Sequence, residues 1–175
     1  MVQNMSIFLS DLKDASVEAA NFLRDKSKRL NKKKDLEELY SGEREFVAEC
    51  YRRLVEKNEE YLLQLLIEYY KPARSEKSPS LVYPDLAFYS TDGSKTAVEV
   101  KPVWFLPTRI DDLYKADKDR ISSDYKKLRD KYTKFDSKIL LVPFLGDEVE
   151  YKRNKLRKYV ESLVHKNSAI DIITC

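Results

Sequence analysis

Two strand-prone runs joined by a turn constrain this chain more than any other feature. Leu81 to Ser90 and Lys95 to Val103 flank Thr91-Asp92-Gly93-Ser94, and an Asp-Gly step between such runs is a strong short-range hairpin signal. The hairpin sets Pro84-Asp85 beside Glu99-Val100-Lys101. Side chains alternate along a strand, so Glu99 and Lys101 share one face while Val98, Val100 and Pro102 take the other. Two acids and a lysine thereby converge at the end of an otherwise apolar ribbon. Such charges are costly to bury unless they pair or hold a metal, and that cost marks a candidate site.

The rest of the chain supplies elements to surround the hairpin. Ile7 to Arg24 reads as an amphipathic helix with Phe8, Leu12, Ala15, Ala19, Phe22 and Leu23 on one face. A second helical pattern runs from Asp35 to Lys57, with a break or fresh start at Gly42. Tyr61 to Tyr70 is expected to pass from a helix end into a strand from Leu65 to Lys71. The 73–80 stretch, with Pro79, reads as a polar loop. Further on come a helix over Asp111 to Thr133, a buried strand over Lys138 to Leu145, a helix over Glu150 to Lys166 and a strand over Ala169 to Cys175. Hairpin-joined strands pair antiparallel and helix-connected ones parallel, so the expected fold is α/β. It has a mixed central sheet with helices on both faces. The N-terminal helical extension is set at residues 1–40 and the main domain at 41–175.

Charge and cysteine content narrow the function classes. At 175 residues, 42% hydrophobic and 36% charged, the chain suits one folded domain rather than a disordered segment. A net charge of +3 points only weakly to nucleic acid. Locally, Arg24 to Lys34 carries seven bases against one acid and Lys152 to Lys158 carries five bases and no acid. Either run suits phosphate contacts or a solvated helix face. Cys50 and Cys175 have no metal-ligand spacing. No signal peptide or long apolar run is present, and the expected location is intracellular, in the cytoplasm. His165 is the only histidine and stands without a candidate partner for a Ser-His-Asp or Cys-His site, and no Gly-X4-Gly-Lys loop is present.

One further acid stands out. On the helical stripe Leu36, Leu39, Phe46/Val47, Cys50, Leu54, the inward position between Leu39 and Phe46 falls to Glu43, whereas Glu45 and Glu49 fall away from its centre. If Gly42 starts the helix, Glu43 is instead an acid of the first turn, favoured there by the helix dipole.

Pro84-Asp85 and Glu99-Val100-Lys101, within an α-β-β-β-α-β-α-β order, resemble the PD-(D/E)XK nuclease superfamily, the restriction-endonuclease-like fold. The string Gly42-Glu43-Arg44-Glu45-Phe46-Val47 is similar to the first core helix of archaeal Holliday-junction resolvases. The resemblance spans about residues 42–175. It implies a DNA endonuclease that uses Mg²⁺, with Mn²⁺ as a substitute. Asp85, Glu99 and the Val100 carbonyl would be the metal ligands, and Glu43 would serve a second metal or a metal-bound water. Lys101 would stand beside the attacking water. DNA, duplex or branched, is the implied partner, and two-strand cleavage implies a homodimer. The alternative is a nucleic-acid-binding or assembly module that keeps the fold without the chemistry. Read singly, Asp85 is a strand-start acid and Glu99 with Lys101 a solvated cross-strand pair. Asp124 and Lys127 can reach the site mouth but are expected chiefly as surface ion-pair partners. Trp104-Phe105-Leu106-Pro107 is expected to fold back onto the core, or else to stack bases or contact a second copy.

Overall fold

The computed structural model describes residues 5–29, 42–67, 84–104, 110–145, 150–164 and 170–175. Five helices are described: α1 (Met5–Arg29), α2 (Gly42–Lys57), α3 (Tyr61–Gln64), α4 (Ile110–Asp130) and α5 (Glu150–Val164). The strands are β1 (Leu65–Ile67), β2 (Leu86–Tyr89), β3 (Lys95–Val100), β4 (Val103–Trp104), β5 (Ser137–Val142), β6 (Phe144–Leu145) and β7 (Asp171–Thr174). Outside the described residues lie the 35–41 helical start, the 68–83 stretch with the strand tail and Pro79 loop, residues 105–107 of the aromatic loop, and His165.

The five main strands form one mixed sheet in the order β1-β2-β3-β5-β7. β1, β2 and β3 pair antiparallel, then β5 and β7 add in parallel, as the short turn and the long helical crossovers require. The hairpin turn is built as its sequence dictates. The Gly93 amide donates to the Ser90 carbonyl at 3.0 Å, the Ser94 amide donates to Asp92 Oδ1 at 2.9 Å, and Gly93 has φ of 88°. No neighbouring atom lies within 4 Å of a Cβ added there, so Gly93→Ala meets conformational strain alone. It is expected to cost about 1–2 kcal/mol, read as a fall of a few degrees in melting temperature.

The two sheet faces bury different helices. On one, Phe8 and Leu12 of α1 and Phe46 and Leu54 of α2 pack with Phe88, Val98, Val100 and Leu141. On the other, Ile121, Tyr125 and Leu128 of α4 and Leu156 and Val160 of α5 pack with Ala97, Leu140 and Val142. The strand alternation expected for β3 is thus observed. α1 is part of the first core: the Phe8 and Phe88 rings stack 4.1 Å apart and Tyr61 closes edge-on against Phe88. The boundary expected near residue 40 lies outside the described residues. Along the α1–α2 seam, Lys57 reaches Asp11 and Asp14, and Arg53 reaches Glu18.

Two details depart from expectation. Glu49 is buried rather than turned outward, because Arg52 and Arg53, one turn on, wrap their guanidinium groups around its carboxylate at 2.6 to 3.0 Å. The strands expected at 95–103 and 138–145 are each interrupted, by Pro102 and Pro143. These prolines face each other. The β3–β5 register pairs Val100 with Leu141, and β4–β6 resumes the same offset with Val103 opposite Phe144. Pro143 still accepts from the Val103 amide at 2.8 Å, but neither proline has a hydrogen to donate.

Candidate functional site

The site grows from the end of the β2–β3 ladder. Leu86 pairs with Val98, so the register carried one step further sets Asp85 opposite Glu99. Residues opposite each other in an antiparallel pair project to the same face. Because Leu86 and Val98 belong to the α1–α2 core, Asp85 and Glu99 belong to the α4 side. Asp85 Oδ2 accepts the Val100 amide at 2.7 Å, which fixes the carboxylate against β3. One step further, Pro84 stands opposite Val100 and has no amide hydrogen to offer its carbonyl.

Helix α4 completes this side. Lys127 Nζ lies 2.7 Å from Glu99 Oε1 and 2.8 Å from Oε2, and Tyr132, just past the helix, donates its hydroxyl to Oε1. The Glu99 side chain is only 2% exposed, while Lys127 remains 27% exposed and covers it from the solvent side. At the mouth, Lys101 Nζ bridges the two layers, donating to Glu43 Oε2 on α2 at 2.6 Å and standing 3.5 Å from Asp124 Oδ2 on α4.

The structure therefore brings all four expected side chains to one end of β3, in two groups. Asp85 and Glu99 form a cross-strand pair. Glu43 stands with Lys101 and is 41% exposed, not inward on an apolar stripe as expected. The reason is that α2 starts at Gly42, which leaves Glu43 in the first turn and free to reach across the sheet end. Asp124 and Lys127 were expected as surface pairs, yet they pair with Lys101 and Glu99. Tyr132 and Asp117 were not singled out as polar partners at all. The signal for Asp117 was its spacing: it lies two turns before Asp124, and each stands one turn before an apolar position, Ile121 and Leu128.

The electrostatics follow from burial. Desolvation pushes Glu99 up to about 8, reinforced by repulsion from Asp85 and opposed by Lys127 and Tyr132. Desolvation likewise pushes Asp85 up to about 6, against the pull of its Val100 hydrogen bond. Asp117, buried near Lys101, is raised by desolvation to about 6. Burial pulls the Lys101 ammonium down, but Asp124, Glu43 and Asp85 outweigh it and its pKa stands above the usual value. Both acids thus hold their protons more tightly than free carboxyls do, and the Lys127 ammonium stands against the Glu99 carboxylate.

A pH dependence follows. Both acids bind protons more tightly in the folded chain than in the unfolded one, whose carboxyls titrate near pH 4. Their contribution to stability is therefore greatest below that range and is lost as pH rises to about 8. Glu99→Gln, which removes the larger of the two shifts, is expected to flatten the decline of melting temperature between about pH 5 and pH 8. Parallel wild-type and Glu99→Gln curves would contradict this.

The donor chemistry suits a hard divalent cation. Two carboxylates, Glu99 destabilised by the charge of Asp85 and Asp85 by those of Glu43 and Asp124, and a carbonyl facing a proline offer the oxygen ligands that Mg²⁺ takes one or two at a time. Among the described residues, no group of three or more acids, cysteines or histidines gathers as a metal cage. No described helix is long and apolar enough to cross a membrane. Comparisons with family models, curated proteins and solved structures returned no match.

Proposed function

We propose that this chain hydrolyses DNA phosphodiester bonds with the help of a divalent cation, on a sheet of the restriction-endonuclease-like kind. The observation that carries this reading is the cross-strand Asp85–Glu99 pair, with Glu99 buried and raised by the charge of Asp85, two positions from Lys101 along the chain. Asp85, Glu99 and the Val100 carbonyl would hold Mg²⁺, or Mn²⁺ in its place. When bound, the ion supplies charge neutralisation at the phosphate and a more acidic water.

The chain's own residues supply the rest. Lys101 presents an ammonium at the mouth of the site, where it stabilises negative charge accumulating on the phosphoryl oxygens and takes part in proton movement at the attacking water. Glu43 and Asp124 hold that ammonium from opposite sides of the sheet, so it need not be ordered during the reaction. Glu43 is placed to orient Lys101 in this arrangement, with service to a second metal or its water a further part of the proposal. Two copies of the chain would place two such sites across a duplex.

A second reading is favoured by one feature. Glu99, Lys101 and Lys127 each find a counter-charge inside the chain, as a purely structural network in a nucleic-acid-binding module would require. The two are separated by a cleavage panel of duplex, single-stranded, flap and four-way-junction DNA and of RNA, with Mg²⁺ or Mn²⁺. The nuclease reading expects divalent-dependent cleavage of at least one DNA form. It also expects a divalent-induced rise in melting temperature that Asp85→Asn removes. A chain inert across the panel, with no such rise, would favour the binding module.

A further inference from the structure

Lys127 is the residue the proposed chemistry leaves unexplained. Its ammonium contacts both oxygens of Glu99 at 2.7 and 2.8 Å, and it also acts on the charges of Asp85 and Asp124. It lies 5.8 Å from the Tyr132 ring centre, which steadies it from a second direction. Lys101, by contrast, has its close contacts with Glu43 and Asp124. The two lysines therefore divide the site: one serves the mouth, the other the carboxylate pair.

We propose that Lys127 is a tethered cation that occupies the charge position of the divalent ion at Asp85 and Glu99 and is displaced when the ion arrives. This inference rests on the nuclease reading above and adds to it a built-in competitor. A lysine ammonium and a divalent ion both neutralise a pair of carboxylates, but one coordination sphere does not hold both next to the same oxygens. The side chains show a route for the exchange. Glu99 has no exposure of its own to speak of, and Lys127, which covers it, is the partly exposed one that can swing outward. Its long flexible stem allows this without moving α4.

Two consequences follow. The ion binds more weakly than the bare pair of acids would allow, because part of its binding energy goes into breaking the Lys127–Glu99 contact. The displaced ammonium is then left at the mouth, where a phosphate can accept it. A bound phosphodiester and a bound ion thus favour each other, and by linkage each tightens the other by the same factor.

The experiment is calorimetric titration of Mn²⁺ into the full chain without nucleic acid, comparing wild type with Lys127→Met and Lys127→Arg. Lys127→Met is expected to bind Mn²⁺ about tenfold more tightly than wild type, while Lys127→Arg stays near wild type. Equal or weaker binding by Lys127→Met overturns the proposal and leaves the nuclease reading standing. Absence of Mn²⁺ binding in all three chains overturns both. A merely structural lysine predicts the opposite sign, since its loss would loosen the site. If Lys127→Met folds poorly, Lys127→Gln replaces it, and melting curves supply the second readout. The neutral variant is expected to melt below wild type without Mn²⁺ and to gain more from Mn²⁺ than wild type does. A loss of stability that Mn²⁺ leaves uncorrected overturns the proposal.

Discussion

On the proposed nuclease reading, Lys101→Ala is expected to lower divalent-dependent DNA cleavage by about 10²- to 10⁴-fold while leaving the fold and Mn²⁺ binding in place. The residue lies past the end of β3, and its ammonium is held by Glu43 and Asp124 rather than by the carboxylate pair. Removing it therefore takes away the positive charge at the mouth without unpairing Glu99. It does take a partner from Glu43 and Asp124, but Glu43 is 41% exposed to solvent and Asp124 keeps the influence of Lys127. The measurement is a single-turnover cleavage rate alongside Mn²⁺ titration of the same preparation. A wild-type rate would remove Lys101 from the chemistry. A lost rate with lost Mn²⁺ binding would move its role from the reaction to the architecture of the site.

Phe8→Ala is expected to cost about 3–5 kcal/mol, the usual range for truncating a fully buried aromatic. Phe8 has no exposure, stacks face to face on Phe88 and meets Tyr61 at an angle. Its loss opens a cavity between α1 and β2 in a core shared with the buried Leu12, Leu54 and Leu86. For a chain of this length that corresponds to roughly 10 °C in melting temperature. A change under about 1 kcal/mol, the size of a typical surface substitution, would show α1 to be an appendage. The same logic implies that a chain lacking α1 exposes its first core and loses cooperative unfolding.

Much of this architecture was legible from local chemistry. The Asp92-Gly93 turn, the alternation along β3 and the apolar run Ile139 to Val142 each rest on near neighbours in sequence, and each is observed. The passage from α3 into β1 at Leu65 was readable for the same reason. What could not be read depends on distant contacts. Glu49 lies off the apolar stripe of its helix, and its burial comes from two arginine side chains closing over it. Tyr132 continues the apolar spacing of Tyr125 and Leu128 just past α4, and nothing local distinguishes a tyrosine that fills the core from one whose hydroxyl meets a buried glutamate. Lys127 was visible as a charge near the site, but its partner is twenty-eight positions away in sequence and on another element. Glu43 was read either as an inward position of a stripe or, if the helix starts at Gly42, as a first-turn acid; the second holds, and the side chain arrives at the site from its rim.

Pro84, Pro102 and Pro143 all sit around the end of β3, one on each neighbouring segment and one on its own continuation. A sheet normally balances one amide hydrogen against one carbonyl oxygen at each residue. Here three positions lack the amide hydrogen, although the Pro143 oxygen is already taken by the Val103 amide. The local backbone is therefore an electron-rich cuff whose polarity is independent of side-chain protonation. It repels a bare anion and attracts a hard cation before any carboxylate is counted. On the proposed reading, a phosphate would settle there only in the company of positive charge, from the ion or from the lysines beside it.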